Sequence, residues 1–105
     1  MNPNDRMRYK VDDVAGFLKG LASAHRLLIL CSLADGEKNV TALIEETGLA
    51  QTSMSQHLAK LKEEGIVQHR RDHRTLYYSI AHPAVTELMS VLYDHFCKED
   101  VEKRA

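Results

Sequence analysis

A mainly α-helical chain carrying one β-hairpin, in the order α-α-α-α-β-β-α, is the class this sequence predicts. Three observations predict it. Apolar residues recur at helical spacing through the first two thirds of the chain. From Ile66 to Ile80 the period changes from 3.6 to 2. After Pro83 it returns to 3.6, with Val85, Leu88, Met89, Leu92 and Phe96 forming a stripe along one last helix.

Taken in order, residues 1 to 9 are polar and expected to fray. Asp12 and Asp13 suit the start of a helix running to Leu21, with Val14, Phe17, Leu18 and Leu21 on one face. Ser23 is an N-cap residue for a second helix, His25 to Leu33. That helix, HRLLILCSL, is apolar almost all round, which places it centrally; Arg26 is its exception. Asp35-Gly36 is a turn signal. Val40, Leu43, Ile44 and Thr47 then share a face, and Gly48 closes that helix, because glycine takes the left-handed closing conformation at little cost. The fourth helix runs from Gln51 or Thr52, either of which could cap it, to Glu64, with Met54, Leu58 and Leu61 on its inner face. Gly65 ends it.

Two short helices across a turn of this length form a helix-turn-helix, whose second helix can enter a DNA major groove; a plain helical hairpin is the alternative. Ile66 to Arg71 and Thr75 to Ile80 are separated by Asp72-His73-Arg74, and TLYYSI is rich in strand formers. A hairpin directly after a helix-turn-helix is the winged-helix arrangement. Tyr77 and Tyr78 alternate, so one packs and the other is exposed. Pro83 opens the last helix, where its missing N–H costs nothing.

With 105 residues the chain is read as a single domain, 1–105, small enough to need good packing or a partner. The stripe on the terminal helix favours a partner, so a homodimer is expected through Val85, Leu88, Met89, Leu92 and Phe96. No apolar run approaches the roughly 18 residues of a membrane span, and no signal-peptide core follows the first ten residues. The expectation is a cytoplasmic protein with no membrane partner. Net charge is −1. Its distribution is more informative: Lys60, Lys62, Arg70, Arg71 and Arg74 cluster around the fourth helix and hairpin, while the tail is acidic.

Those cations, with Thr52, Ser53, Ser55, Gln56 and His57, make the expected DNA-contacting set. Gln bonds adenine bidentately, and Ser and Thr hydroxyls serve base or phosphate, so Gln56 and Ser53 are expected to read bases. Lys60, Lys62, Arg71 and Arg74 fit phosphate contacts, which position rather than specify. His57 has a second reading, packed beneath the helix. Arg70 has one as a charge that keeps the hairpin tip soluble. An enzyme is not expected: there is no glycine-rich phosphate loop, paired-carboxylate signal or nucleophile with a base at motif spacing. A small protein–protein adaptor is the reading from another class, against which the basic hairpin and the Ser/Gln/His face stand.

The runs LASAHRLLILCSL, TSMSQHLAKLKEEGIV and VQHRRDHRTLYYSI together resemble the arsenic-repressor (ArsR/SmtB) family of bacterial winged-helix repressors, from Val14 to Cys97. The resemblance implies a homodimer paired through its first and last helices, and repression of double-stranded operator DNA relieved by an inducer. One family pattern for metal sensing needs a Cys-x-Cys pair on the helix ending near Thr47, which this chain lacks. Another needs four ligands on the last helix; the matching positions here are His82, Ala84, His95 and Lys98, so two are lost. No metal or other cofactor is therefore expected, although a metal-responsive repressor using Asp94 or Glu99 stays open as the alternative. The two cysteines, Cys31 and Cys97, are on composition alone readable as small buried apolar groups. Their positions are similar to those of the persulfide- and redox-sensing (BigR/SqrR-type) branch of that family. That similarity implies a dithiol switch, in which reactive sulfur species or oxidants bridge the pair and DNA is released.

Overall fold

The computed structural model describes residues 3–98. The acidic tail, with Glu99, Asp100 and Glu102, lies outside them. The elements are α1 (Pro3–Leu21), α2 (Ala24–Leu33), β1 (Lys38–Asn39), α3 (Val40–Thr47), α4 (Gln51–Glu63), β2 (Val67–Asp72), β3 (Thr75–Ile80) and α5 (Pro83–Phe96). This is a winged helix-turn-helix with two departures from expectation. Helix α1 starts at Pro3, well before Asp12, because residues 5 to 11 contain no breaker and proline is compatible with a first turn. The short β1 pairs antiparallel with β3, Lys38 opposite Tyr78 and Asn39 opposite Tyr77, so the hairpin becomes a three-stranded sheet ordered β1-β3-β2.

Local chemistry sets the boundaries. The Ser23 hydroxyl accepts from the Arg26 N–H, and the Asn39 side chain accepts from the Ala42 N–H at 2.8 Å, capping α2 and α3. Gly48 closes α3 at φ 74° and donates to the Ile44 carbonyl. Neither Gln51 nor Thr52 caps α4; its N-cap is Ala50, which has no side-chain bond. Strands β2 and β3 pair from Val67 opposite Ile80 to Asp72 opposite Thr75, which leaves a two-residue tip with His73 at φ 57°. His82 caps α5, its Nδ1 accepting from the Ala84 N–H at 3.2 Å.

Helix α2 is the centre of the core, as its composition predicts. Ile29, Leu30 and Leu33 meet Leu43 of α3, Met54, Leu58 and Leu61 of α4, Ile66 and Val67, and Val85 and Met89 of α5. Burying one such side chain contributes about 1.5–3 kcal/mol, which is what holds the recognition unit together. Tyr78 joins this cluster; Tyr77 is half-buried rather than exposed. Helix α1 adds Leu21 and, partly, Phe17, and its line turns by 86° into α2. Met7, Tyr9, Val11, Val14 and Leu18 on α1 remain exposed.

Candidate nucleic-acid interface and thiol cleft

With Met54, Leu58 and Leu61 turned inward, α4 presents Thr52, Ser55, Gln56, Lys60 and Lys62 to solvent. Ser53 and His57, one turn apart, lie half-buried on its flank. The His57 ring meets His25 of α2 edge-on, centroids 5.6 Å apart. Burial first, then the charges of Arg26 and His25, holds the His57 pKa below the ordinary histidine value. His57 is thus half-buried and packed against His25 at the edge of the exposed α4 face.

The far end of α4 is tied to α1 and α2 by a contact the sequence did not reveal. Arg26 Nη1 donates to the Gly20 carbonyl at 2.8 Å and lies 3.7 Å from Glu64 Oε2. A Cβ at Gly20 would sit 2.6 Å from that carboxylate oxygen, so a larger residue there would displace the Glu64 side chain. The one cation in an apolar helix was the available signal, but its partners are distant in sequence.

In the wing, Arg70 is engaged. Its guanidinium grips Glu37 through Nε, at 3.1 and 3.0 Å from the two carboxylate oxygens, and through Nη2, and covers the Tyr77 ring at 4.7 Å. The Arg70 hydrogen bond holds the Glu37 carboxyl below its ordinary pKa. Arg71 and Arg74 are exposed and have no ion-pair partner among the described residues.

Cys31 and Cys97 line one cleft of about 330 Å³ between α2 and α5, walled by Leu27, Met89, Leu92, Tyr93 and Phe96. Both thiols are free and reach solvent. Packing on one side of Cys31 pushes its pKa above the ordinary thiol value, and the neighbouring Cys97 pushes it further. A second cleft of about 420 Å³ shares Cys31, Met89 and Tyr93 with the first and reaches Asp35, Thr86 and Ser90. Among the described residues no three His, Cys, Asp or Glu side chains come together as a metal site. His82 is occupied as the α5 cap and packs on Phe17, centroids 4.7 Å apart.

The model of the arsR family of bacterial regulatory proteins matches residues 23–69, from the α2 cap into β2. The biofilm growth-associated repressor of Xylella fastidiosa is 34% identical over 94 residues, covering 90% of this chain and 82% of that protein. The chain belongs to the arsR family. ArsR-family proteins are DNA-binding transcriptional regulators, not enzymes. The fold is similar to the crystal structure of the transcriptional repressor BigR from Xylella fastidiosa, with a TM-score of 0.83, 35% identity and coverage of 92% and 98% of the two chains. It is also similar to the solution structure of a homodimeric winged helix-turn-helix DNA-binding domain from Mycobacterium bovis, with a TM-score of 0.73, 37% identity and coverage of 94% and 91%.

In this ArsR-family chain the α5 stripe divides. Val85 and Met89 are enclosed in the chain's own core, and Leu88 and Leu92 are partly covered by it. Of the five stripe residues only Phe96 is fully presented to the outside, joined there by Val91 and Tyr93. Val85 and Met89 are therefore corrected from partner-facing to internal. A periodic stripe marks the apolar arc of a helix but not which part its own core uses. Among the described residues no single helix is long and apolar enough to cross a membrane.

Proposed function

We propose that this chain is a homodimeric repressor that binds operator DNA when reduced and releases it when Cys31 and Cys97 are bridged by reactive sulfur or an oxidant. The observation that carries the reading is the shared cleft: the chain's two cysteines, far apart in sequence, line one pocket between α2 and α5. Its setting is the cytoplasm, where DNA and reduced thiols meet.

On DNA, Thr52, Ser55 and Gln56 face the base edges, Ser53 and His57 stand at the groove margin, and Lys60, Lys62, Arg71 and Arg74 hold phosphates. Arg70 braces the wing through Glu37. The exposed apolar groups of α1 and of the Val91–Phe96 end of α5 meet their counterparts on a second chain. This spaces two α4 helices about one DNA turn apart, roughly 34–36 Å.

The thiol chemistry balances with an organic persulfide. The Cys97 thiolate, at the open end of α5, attacks the outer sulfur of R–S–SH; the S–S bond breaks and RS⁻ leaves as the thiol. Deprotonated Cys31 then attacks the inner sulfur of the Cys97 persulfide, forming the Cys31–Cys97 disulfide and expelling hydrosulfide. Two thiols are oxidised, and one persulfide is reduced to a thiol and hydrogen sulfide. The raised pKa of Cys31 lowers its thiolate fraction, which disfavours it as the first attacker and leaves it the resolving role.

The test is operator binding by the parent, Cys31→Ser and Cys97→Ser before and after persulfide, with mass measured in parallel. Both variants should bind when reduced and stay bound after treatment, while the parent gains an intramolecular bridge and releases. Release from either single variant would overturn the reading. Release of the double variant by zinc would put a metal sensor in its place.

A further inference from the structure

The residue after Cys31 is tied directly to the DNA-reading unit. The Ser32 hydroxyl donates to Glu46 Oε2 of α3, and the Ser32 carbonyl accepts from Lys38 Nζ. The same ammonium donates to Asp35 Oδ1 at 2.7 Å and to Glu46 Oε2 at 2.8 Å. An ammonium has three N–H donors, and here each has an acceptor. Lys38 is held charged, its pKa raised by Asp35 and Glu46, while the carboxyls of both are lowered by Lys38. The backbone of Lys38 lies in β1 opposite Tyr78 of the wing, and its neighbour Glu37 grips Arg70 of β2. One side chain thus joins the last turn of α2 to α3, and its backbone joins both to the wing.

We propose that Lys38, with Ser32 and Glu46, is the positioning joint through which the state of the Cys31 thiol sets α3 and the wing against DNA. The inference rests on the thiol-switch reading above. A bridge to Cys97 draws the last turn of α2 toward α5, and Ser32 moves with it. The Lys38 ammonium cannot follow Ser32 without leaving Glu46 or Asp35. Glu46 stands beside the Thr47-Gly48 turn that leads into α4, so a shift there changes the tilt of the recognition helix. The group is largely solvent-facing at Asp35 and Glu46, so it adds little to overall stability. Its strength lies in geometry, because three acceptors fix one cation.

The experiment is an operator titration of the full chain as parent, Lys38→Met, Lys38→Arg, Glu46→Gln and Ser32→Ala. Each is measured reduced and with the Cys31–Cys97 bridge verified by mass. The readout is the ratio of the bridged to the reduced dissociation constant. The parent should show a large ratio; Lys38→Met should lower it by about tenfold or more, and Lys38→Arg should keep most of it. Glu46→Gln and Ser32→Ala should fall between, and they carry the test if Lys38→Met fails to give a cooperative melt. A merely structural lysine would weaken both states alike and leave the ratio unchanged, which would overturn the joint. A parent ratio of one would instead overturn the thiol reading, and the joint with it.

Discussion

Helices α3 and α4 differ from α1 and α5 in how completely they close on themselves. In the first pair Leu43, Met54, Leu58 and Leu61 are between 0% and 1% exposed. In the second pair Tyr9 is 86% exposed, Phe96 71%, and Leu18, Val91 and Tyr93 about half. The reading unit is finished within one chain. The α1–α5 side has apolar groups that one chain does not cover, and the thiol cleft opens on that side. Under the proposed function, recognition is built on rigid packing, and control is placed on the side that a second chain would cover.

The largest effect should separate the two regions by protein concentration. Leu61→Ala removes a fully buried side chain under α4 and should cost about 2–5 kcal/mol of stability at any concentration. Phe96→Glu should change the stability of the single chain by no more than about 0.5 kcal/mol, because the residue is mostly in water. It should nevertheless weaken operator binding sharply, since half-sites are then bound singly rather than as a linked pair. Thermal melts and sedimentation check both. A monomeric parent at micromolar concentration would remove the distinction.

Next comes the face of α4. Gln56→Ala should lose about 1–3 kcal/mol at the operator and relax one base preference, while Ser53→Ala, at a half-buried flank, should lose less. Competition titrations on single-base operator variants give the comparison. Equal losses would mean that α4 is rotated about its axis relative to this assignment.

The smallest effect is on pH. The folded-state pKa of His57 is depressed, so the unfolded chain binds more protons through the interval below the ordinary histidine value of 6.5. Stability should therefore fall as pH drops through 6.5 toward the folded pKa, and it should be insensitive to His57 well above 6.5. His57→Gln should flatten the acid-side slope in melts taken between about pH 5 and 7. An unchanged slope would assign the effect to another group.

Much of the reading unit was legible because its signals are local. The Ser23 cap, Gly48, the inner face of α4 and the change of period at Ile66 each lie within a few residues of what they specify. Strand β1 was not legible, since two residues carry no period and Lys38-Asn39 pairs only because β3 lies alongside. Gly20, Arg26 and Glu64 depend on the crossing of three helices, and the Ser32–Lys38–Glu46 cluster on the return of α3 to α2; neither leaves a pattern in sequence. The α5 stripe was legible as a stripe, but its division between Val85 and Phe96 depends on where α2 and α4 already fill the core. The placement of Cys31 near Cys97 came only from family resemblance, which the shared cleft now supports.

The most direct measurement is the native mass of the protein on a two-half-site operator, taken reduced and after bridging on the same sample. Two chains per operator when reduced, and a free but still dimeric bridged protein, is the expected result. Bridged protein that stays on DNA, or a bridge that splits the dimer into monomers, would contradict a switch that re-aims the reading helices of an intact dimer.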